Sequence, residues 1–554
     1  MHDIKQTPRP DLDALDQTHV DVVVIGAGIN GAAAAEAAAA AGLKVALFDK
    51  GDYASGASRQ STRLLHCGLR YLMPGGPITI FLRHPGRFLD VLKTIRRSMA
   101  VRSELVRTEP DKLKPIRMHY PLFKGGPYAP WMVDVAFGIL GSLSDGKVPL
   151  NYRRSGGAQA RAENPFVPFL RDPANLSSIA SYTEYQFDWP ERVVVERVMQ
   201  AAQDGAVVRN YTPVTGLTHT PQGWAVDVTD AHTGAEARVW ARAVLNLTGV
   251  WVDRVHALVN RPITRKVTGT KGAHLVFRLP ESCKGHGFAA MSTAGRPFYC
   301  MPWRDLHFFG PTETLYEGDP DDVYADDADI EFLMRETTHL FPQLALTRAD
   351  IVSTWAGVRP LTHDATMPMG HRSRRIYDLG VEGLPGAFAL TNGSLGAHRQ
   401  TAQDLLVKLK DWFANPASGK TVAPVSDESA DRASAARETG RSSVPPSAKT
   451  EMSAAATRDP SHCLEQDTSH AASAWPGAAT DAAALEHAVT LEDMMARRLG
   501  HVWDADLGLG AAAAVARDMG ARLGWDDARI TAEIAQYTRT VHHLYGVRAV
   551  TGVR

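Results

Sequence analysis

Residues 19–50 read HVDVVVIGAGINGAAAAEAAAAAGLKVALFDK, and this stretch decides the fold. Val20, Val22, Val23, Val24 and Ile25 form an apolar run interrupted only by Asp21, and they lead directly into Gly26-Ala27-Gly28-Ile29-Asn30-Gly31. An alanine-rich segment of high helix propensity follows, then a second apolar run, Val45 to Phe48, closed by Asp49. Strand, glycine turn, helix, strand and acid are the dinucleotide fingerprint in its full context. Gly26 permits the tight turn, Gly28 lets a pyrophosphate approach the backbone, and Gly31 lets the helix pack on the strand. The amides of the first helical turn face the phosphates, where the helix dipole favours negative charge. Asp49, 18 residues beyond Gly31, is placed to accept hydrogen bonds from an adenosine ribose. The chain is expected to bind a dinucleotide, with FAD and NAD both open at this point.

The rest of the composition sets bounds. A chain of 554 residues exceeds what one core serves and predicts two or three domains. With 44% hydrophobic and 22% charged residues it reads as an ordinary globular protein. A net charge of -1 carries no basic signature, so no nucleic-acid partner is expected. Cys67, Cys283, Cys300 and Cys463 are widely spaced with no CxxC pair, which argues against a metal site or a disulfide framework and fits a reducing compartment. The first residues carry no apolar signal segment, and no apolar run reaches the about 18 to 20 residues that span a bilayer. The expected location is the cytoplasm, with peripheral contact on the inner face of the cell membrane as one reading of residues 83–117. That region holds Arg83, Arg87, Lys93, Arg96, Arg97, Arg102, Arg107, Lys112, Lys114 and Arg117 against Asp90, Glu104, Glu109 and Asp111. Phe88, Leu89, Leu92, Ile95 and Met99 recur there at helical spacing, the pattern of an amphipathic helix. It suits an anionic lipid surface and equally an ordinary solvated helix face.

Further along, RVVVERVMQAAQDGAVVRN reads as helix then strand, and WAVDVTD with RVWARAVLNLTG as paired strands. HLVFRL, FYCMPW and LHFFG predict a mixed or antiparallel sheet. AFALT, a glycine turn and TAQDLLVKLKDWF read as strand, turn and helix. Residues 416–480 are rich in Ala, Ser, Thr and Pro, with almost no large apolar side chains; they cannot offset their ordering entropy and read as a disordered linker. Several helices follow it.

The stretch SRQSTRLLHCGLRYL, residues 58–72, strongly resembles the SSKLIHGGLRYL segment of FAD-dependent (respiratory, peripheral-membrane) glycerol-3-phosphate dehydrogenases. In the same order, LNLTGVWVD resembles NATGPWVD, TKGAHLVF resembles KGSHIVV, FGPTETLYEGDP resembles GTTDTPYEGDP, WAGVRPL resembles YSGVRPL, and AVTLEDMMARRLG resembles AVTLEDVLARR. The resemblance spans about 390 N-terminal residues and the last 65 or so. It implies an α/β fold: a Rossmann-like FAD-binding domain, an inserted mixed-sheet substrate domain and a small C-terminal helical domain. The expected map is a flexible N-terminus over 1–18 and a discontinuous FAD-binding domain over 19–75, 180–260 and 355–415. A substrate and membrane-facing domain covers 76–179 and 261–354, followed by the linker over 416–480 and the helical domain over 481–554.

The resemblance further implies oxidation of sn-glycerol 3-phosphate to dihydroxyacetone phosphate, hydride passing from C2 to flavin N5 and electrons on to a quinone or another acceptor. Besides Gly26, Gly28, Gly31 and Asp49, it aligns Ser58, Ser61, Thr62, Thr248, Gly249, Gly393 and Ser394 with the cofactor. His66, Arg70 and Tyr71 fall beside flavin and substrate, His274 at the flavin's reactive face, and Arg359 and Arg372 on the substrate phosphate. The chemistry agrees: arginine's planar fork binds a phosphate bidentately, and a histidine poised near neutrality suits removal of a hydroxyl proton. His274 and His66 are both candidates for that base, with His274 favoured. No metal is expected, and a homodimer is left open.

The motif near the flavin departs from the pattern. Where the resembled segment is GGKLTTYR, this chain has Asn392-Gly393-Ser394-Leu395-Gly396-Ala397-His398-Arg399. Ser394 stands for a lysine, and losing one charge-assisted contact costs about 1.5 to 3 kcal/mol of binding. His398 or Lys271 could supply the missing charge. Cys67 replaces a glycine and reads as a reactive thiol or, better, a small packed residue. Alternatives are another small phosphorylated alcohol, an amino acid held through a carboxylate by the same fold, an NAD enzyme, and a flavin-binding protein with impaired turnover.

Overall fold

The computed structural model describes residues 8–72, 85–415 and 484–547; the side chains of Arg70 and residues 85–87 lie outside the described set. The expected linker over 416–480 and residues 73–84, Arg83 among them, therefore fall outside it as well.

The fingerprint folds as read. Strand β1 (His19–Ile25), helix α1 (Ile29–Ala40) and strand β2 (Val45–Phe48) follow one another, with β1 and β2 parallel. Strand β2 and the Val22–Ile25 part of β1 are buried and apolar, as expected where helices cover both faces of a sheet. Val207–Arg209 pairs in parallel with β2, Glu236–Asn246 with β1, and Ala387–Thr391 with Glu236–Asn246. In chain order this is the 3-2-1-4-5 arrangement of a doubly wound dinucleotide fold. The hairpin of Val214–Thr220 and Gly223–Thr229 pairs onto Glu236–Asn246, and Arg375–Asp378 closes the other edge.

A second, mixed sheet of ten strands carries the other half of the molecule. One end of it is the antiparallel pair Val267–Phe277 and Ile351–Thr362. It also includes Leu64–Leu65, Leu113–Phe123 and Leu176–Phe187, so the chain crosses between the sheets four times: after Phe48, Phe187, Asn246 and Thr362.

Two expectations need amending. The amphipathic helix ends at Thr108: Pro110 and Pro115 break it, and Leu113–Phe123 is a strand. Of the ten cations, Arg102 is fully buried and donates to Val148 and Thr183 carbonyls. Lys112 pairs with Glu196, and Lys114 with Asp188; Lys93, Arg96, Arg97 and Arg107 remain exposed on the helix. Residues 8–18 are not a free lead-in, because Leu12 and Leu15 are buried against the first sheet and Arg9 pairs with Asp230 at 2.8 Å. The C-terminal helices, Leu509–Leu523 and Asp527–Tyr545, do not form a core of their own. Met494, Trp503, Met519 and Tyr545 share one apolar cluster with Trp303, Phe308 and Trp355 of the second sheet. A largely buried ionic cluster completes the attachment: Asp52 accepts from both Arg497 and Arg498, Arg497 also pairs with Asp493 at 2.6 Å, and Arg59 reaches the partly exposed Glu492 at 3.0 Å. These contacts grip residues 52–59, the start of the loop that follows β2.

Candidate active site

The glycine turn is sterically specified. Gly26 has φ +96, and a Cβ there would stand 3.0 Å from the Leu247 carbonyl and the Thr248 Cα. A Cβ on Gly31 would lie 1.8 Å from the Gly26 carbonyl oxygen, so no other residue lets α1 approach β1 this closely. At Gly28 a Cβ would meet the Ser58 hydroxyl at 3.3 Å. That hydroxyl accepts from the Ile29 amide at 3.0 Å, which ties the loop after β2 to the start of α1. Asp49 accepts from the Ala27 amide at 2.6 Å and the Gly51 amide at 2.9 Å. Burial, opposed by these two hydrogen bonds, raises its carboxyl to about 6. The turn, the loop and Thr248-Gly249 meet at the ends of β1 and Glu236–Asn246, the point where strand order reverses and such folds bind their ligand.

The 392–398 turn is the hub that joins this crevice to the second sheet. The Asn30 side chain donates to the Gly393 carbonyl at 2.9 Å, and a Cβ on Gly393 would stand 2.6 Å from Asn30 Nδ2. The Asn392 amide donates to the Pro360 carbonyl at 2.8 Å, one residue beyond Arg359. A Cβ on Gly396 would meet Leu65, next to His66, at 2.8 Å. Ser394 itself is exposed on this turn. Neither proposed substitute for the missing lysine supplies charge. Lys271 is taken by Asp326 and by Asp329 at 2.7 Å. His398 is fully buried, its Nδ1 on the Leu395 carbonyl, and burial holds it near 3, so it stays neutral.

On the second sheet, His274 lies directly opposite Trp355, Gly272 opposite Gly357, and Thr270 opposite Arg359. Directly paired residues of an antiparallel ladder share a face. Two glycines thus leave a floor without side chains of its own, with His274 on one side and the Cα of Arg359 on the other. The Arg359 guanidinium lies over Gly272, where a Cβ would be 2.2 Å from Nη2. The His274 ring stacks on Trp355 with centroids 4.7 Å apart, meets Phe308 edge-on at 5.4 Å, and has its Nε2 3.2 Å from the Thr62 hydroxyl. Gly310 makes room, since a Cβ there would stand 2.7 Å from the ring. The buried Nδ1 has no hydrogen-bond partner among the described residues. Burial pushes the ring well below the usual histidine value, helped by the Arg359 and Arg63 cations. Arg63 is itself fixed, sandwiched 4.2 Å from both Trp303 and Trp503 and paired with Glu191 at 3.3 Å.

The remaining expected residues fall unevenly. His66 meets Tyr71 edge-on at 6.2 Å, and the Arg70 side chain lies outside the described residues. The Ser61 hydroxyl turns back to accept from the Arg63 amide at 3.1 Å. Arg372 is half exposed and paired with Glu313, although its carbonyl accepts from Asn392. Cys67 is a packed residue: it is fully buried, and burial with the neighbouring Glu184 carboxylate raises its thiol well above the usual value. Sequence reasoning missed Trp355, Asn30, Glu313 and Gln60. For Trp355 a signal was present, because it stands two residues before Gly357 and four before Arg359, the spacing of one shared face.

Among known proteins, the family described as FAD dependent oxidoreductase matches residues 21–396. A glycerol-3-phosphate dehydrogenase of Synechocystis is 31% identical over 411 residues, covering 71% of this chain and 70% of that protein. An aerobic glycerol-3-phosphate dehydrogenase of Staphylococcus aureus is 29% identical over 389 residues, covering 70% and 66%. The solved glycerol-3-phosphate dehydrogenase of Bacillus halodurans, complexed with FAD, superposes with a TM-score of 0.65 at 20% identity over 98% of both chains. That similarity establishes the shared fold, including the C-terminal helices.

Proposed function

The chain belongs to the family of FAD-dependent oxidoreductases that contains the glycerol-3-phosphate dehydrogenases, and from that premise we propose that it oxidises sn-glycerol 3-phosphate at C2 to dihydroxyacetone phosphate, with a quinone as final electron acceptor. The observation that carries the reading is the two-glycine floor between Arg359 and His274. The glycine turn, Asp49, the loop of Ser58, Ser61 and Thr62, Thr248-Gly249 and the Gly393-Ser394 turn suit the cofactor: a Cβ at Gly28 or Gly393 would intrude on their junctions. Bound FAD supplies the hydride acceptor.

Every other part of the reaction falls to side chains of this chain. Arg359 takes the phosphate through its planar fork, matching charge and geometry together. His274 takes the C2 hydroxyl proton: its burial keeps it neutral at physiological pH, and a neutral imidazole has a lone pair to accept with. Thr62, against its Nε2, holds the ring's orientation. His66 is the second candidate for the proton, and Tyr71, edge-on to it, is assigned to the substrate. Arg372 contributes to phosphate binding only when it leaves Glu313.

Peripheral membrane contact, the route to a quinone, is supported by three exposed apolar side chains: Leu89 at 59%, Trp131 at 61% and Val135 at 53%. Lys93, Arg96 and Arg97 are exposed on the Leu89 helix, the combination that suits an anionic surface. Among the described residues no helix is long and apolar enough to cross a membrane.

The test is an anaerobic titration of the flavoprotein with glycerol 3-phosphate, followed by flavin absorbance. Saturable bleaching that glycerol does not produce is expected. A protein that stays yellow sinks the substrate assignment.

A further inference from the structure

Gln60 sits in the middle of the proposed site and has no task. A Cβ added to Gly357 would stand 2.6 Å from Gln60 Cβ and 3.3 Å from its Oε1. The side chain therefore fills one slot of the two-glycine floor while the Arg359 guanidinium fills the other. Paired Cβ positions are about 4.5 to 5.5 Å apart, so amide and guanidinium are neighbours, with His274 at the next paired position on the same face. Gln60 is half buried, and among the described residues its side-chain amide makes no hydrogen bond. On either side of it the loop is committed: Arg59 to Glu492, Ser61 to the Arg63 amide, and Thr62 to His274.

We propose that Gln60 orients the substrate by hydrogen-bonding its terminal C1 hydroxyl, an inference that rests on the glycerol 3-phosphate reading above. Glycerol 3-phosphate presents three polar groups to the floor. The phosphate matches a guanidinium, which only donates, and the C2 hydroxyl gives its proton to a neutral imidazole. The C1 hydroxyl keeps its proton, so it needs a partner that both donates and accepts, and a carboxamide does both. Gln60 thereby selects a polyol phosphate over a plain secondary-alcohol phosphate, because an unmade hydrogen bond in a closed site penalises the analogue that lacks the hydroxyl.

The experiment compares wild type and Gln60→Ala on two substrates, glycerol 3-phosphate and its 1-deoxy analogue, 2-hydroxypropyl phosphate. FAD affinity and the flavin spectrum are measured alongside. The expected result is a fall of about tenfold in kcat/KM for glycerol 3-phosphate, carried mainly by KM, with less than about a twofold change for the analogue. The flavin spectrum and FAD dissociation constant stay as in wild type. An equal loss on both substrates, or weakened FAD binding, overturns the proposal and assigns Gln60 to the loop or the cofactor. No loss on either substrate overturns it as well, leaving a solvated side chain. A wild type inert to glycerol 3-phosphate removes the underlying reading and takes this inference with it, an outcome distinct from the others.

Discussion

Gly272→Ala adds one methyl group at the centre of the site, directly beneath the Arg359 guanidinium. Gly272 lies inside the extended strand Val267–Phe277 and is not among the glycines with positive φ, so the backbone accepts alanine. The new Cβ would stand 2.2 Å from Arg359 Nη2 and 2.6 Å from its Cζ and Nη1. Ordinary contact needs about 3.5 Å, so the guanidinium must withdraw by more than about 1 Å. It is the far end of a flexible side chain, so the fold yields little. Loss of glycine entropy in the unfolded chain even favours the variant by about 0.4 to 1 kcal/mol. What is lost is the bidentate grip on phosphate, worth about 1.5 to 3 kcal/mol, or about 10- to 150-fold in affinity. Steady-state kinetics with an artificial electron acceptor should show KM for glycerol 3-phosphate raised by that factor, with FAD content and melting temperature close to wild type. In an Arg359→Ala background the same substitution should cost almost nothing, since both act through one contact. An unchanged KM, or losses that simply add, would refute the two-glycine floor as the phosphate site.

Three further outcomes follow from named groups. His274, His119, His307 and His398 are buried rings whose pKa is lowered by burial, the last three to about 3, 4 and 3. The unfolded chain takes up protons below about 6.5 that these rings refuse in the fold, so stability falls as pH drops from there. Asp49, at about 6 when folded, works against this by holding a proton longer than the unfolded chain does. The histidines outnumber it, so stability is expected to fall between pH 7 and pH 5, and denaturant melts at the two pH values that coincide would contradict it. Ser394→Lys, on an exposed position, should lower KM for glycerol 3-phosphate about tenfold; an unchanged KM would place the 394 side chain away from the phosphate. Asp52→Asn strands Arg497 and Arg498 and should cost about 3 to 5 kcal/mol together with FAD retention, read by thermal melting and flavin release. A wild-type melt would show that the cluster does not anchor the loop.

Much of this architecture is readable in the sequence, for physical reasons that also explain where reading stops. The glycine turn declares itself because each glycine answers a contact within a few residues, as Gly31 does against Gly26. The C-terminal attachment does not, because Arg497 finds Asp52 at a separation of 445 residues and nothing local marks a buried pair. The helix before the second sheet reads too long because basic residues continue past its end, while Pro110 and Pro115 are the stronger signal. His398 and Lys271 look able to replace a lost lysine only while their surroundings are unseen; burial of one and the carboxylate partners of the other remove them. Gln60 carries no pattern at all, and its role emerges only from the empty Cβ position at Gly357.

The two ends of the floor are also coupled electrically. His274 is held neutral first by burial and then by the Arg359 and Arg63 cations. Arg63 cannot relax, fixed by Glu191 and two indoles, whereas Arg359 is the group a phosphate would meet. On the proposed reading, a phosphate dianion bound at Arg359 would offset its charge, and the imidazole would become a better base when the substrate is seated. The phosphate is then part of the reaction as well as a handle, and a substrate truncated to glycerol should lose kcat along with KM, as expected when remote binding energy supports the reacting centre. Inorganic phosphite added to glycerol should restore part of that turnover by refilling the anion position. If phosphite leaves glycerol oxidation unchanged while still competing with glycerol 3-phosphate, Arg359 binds the anion without influencing His274, and the coupling does not exist.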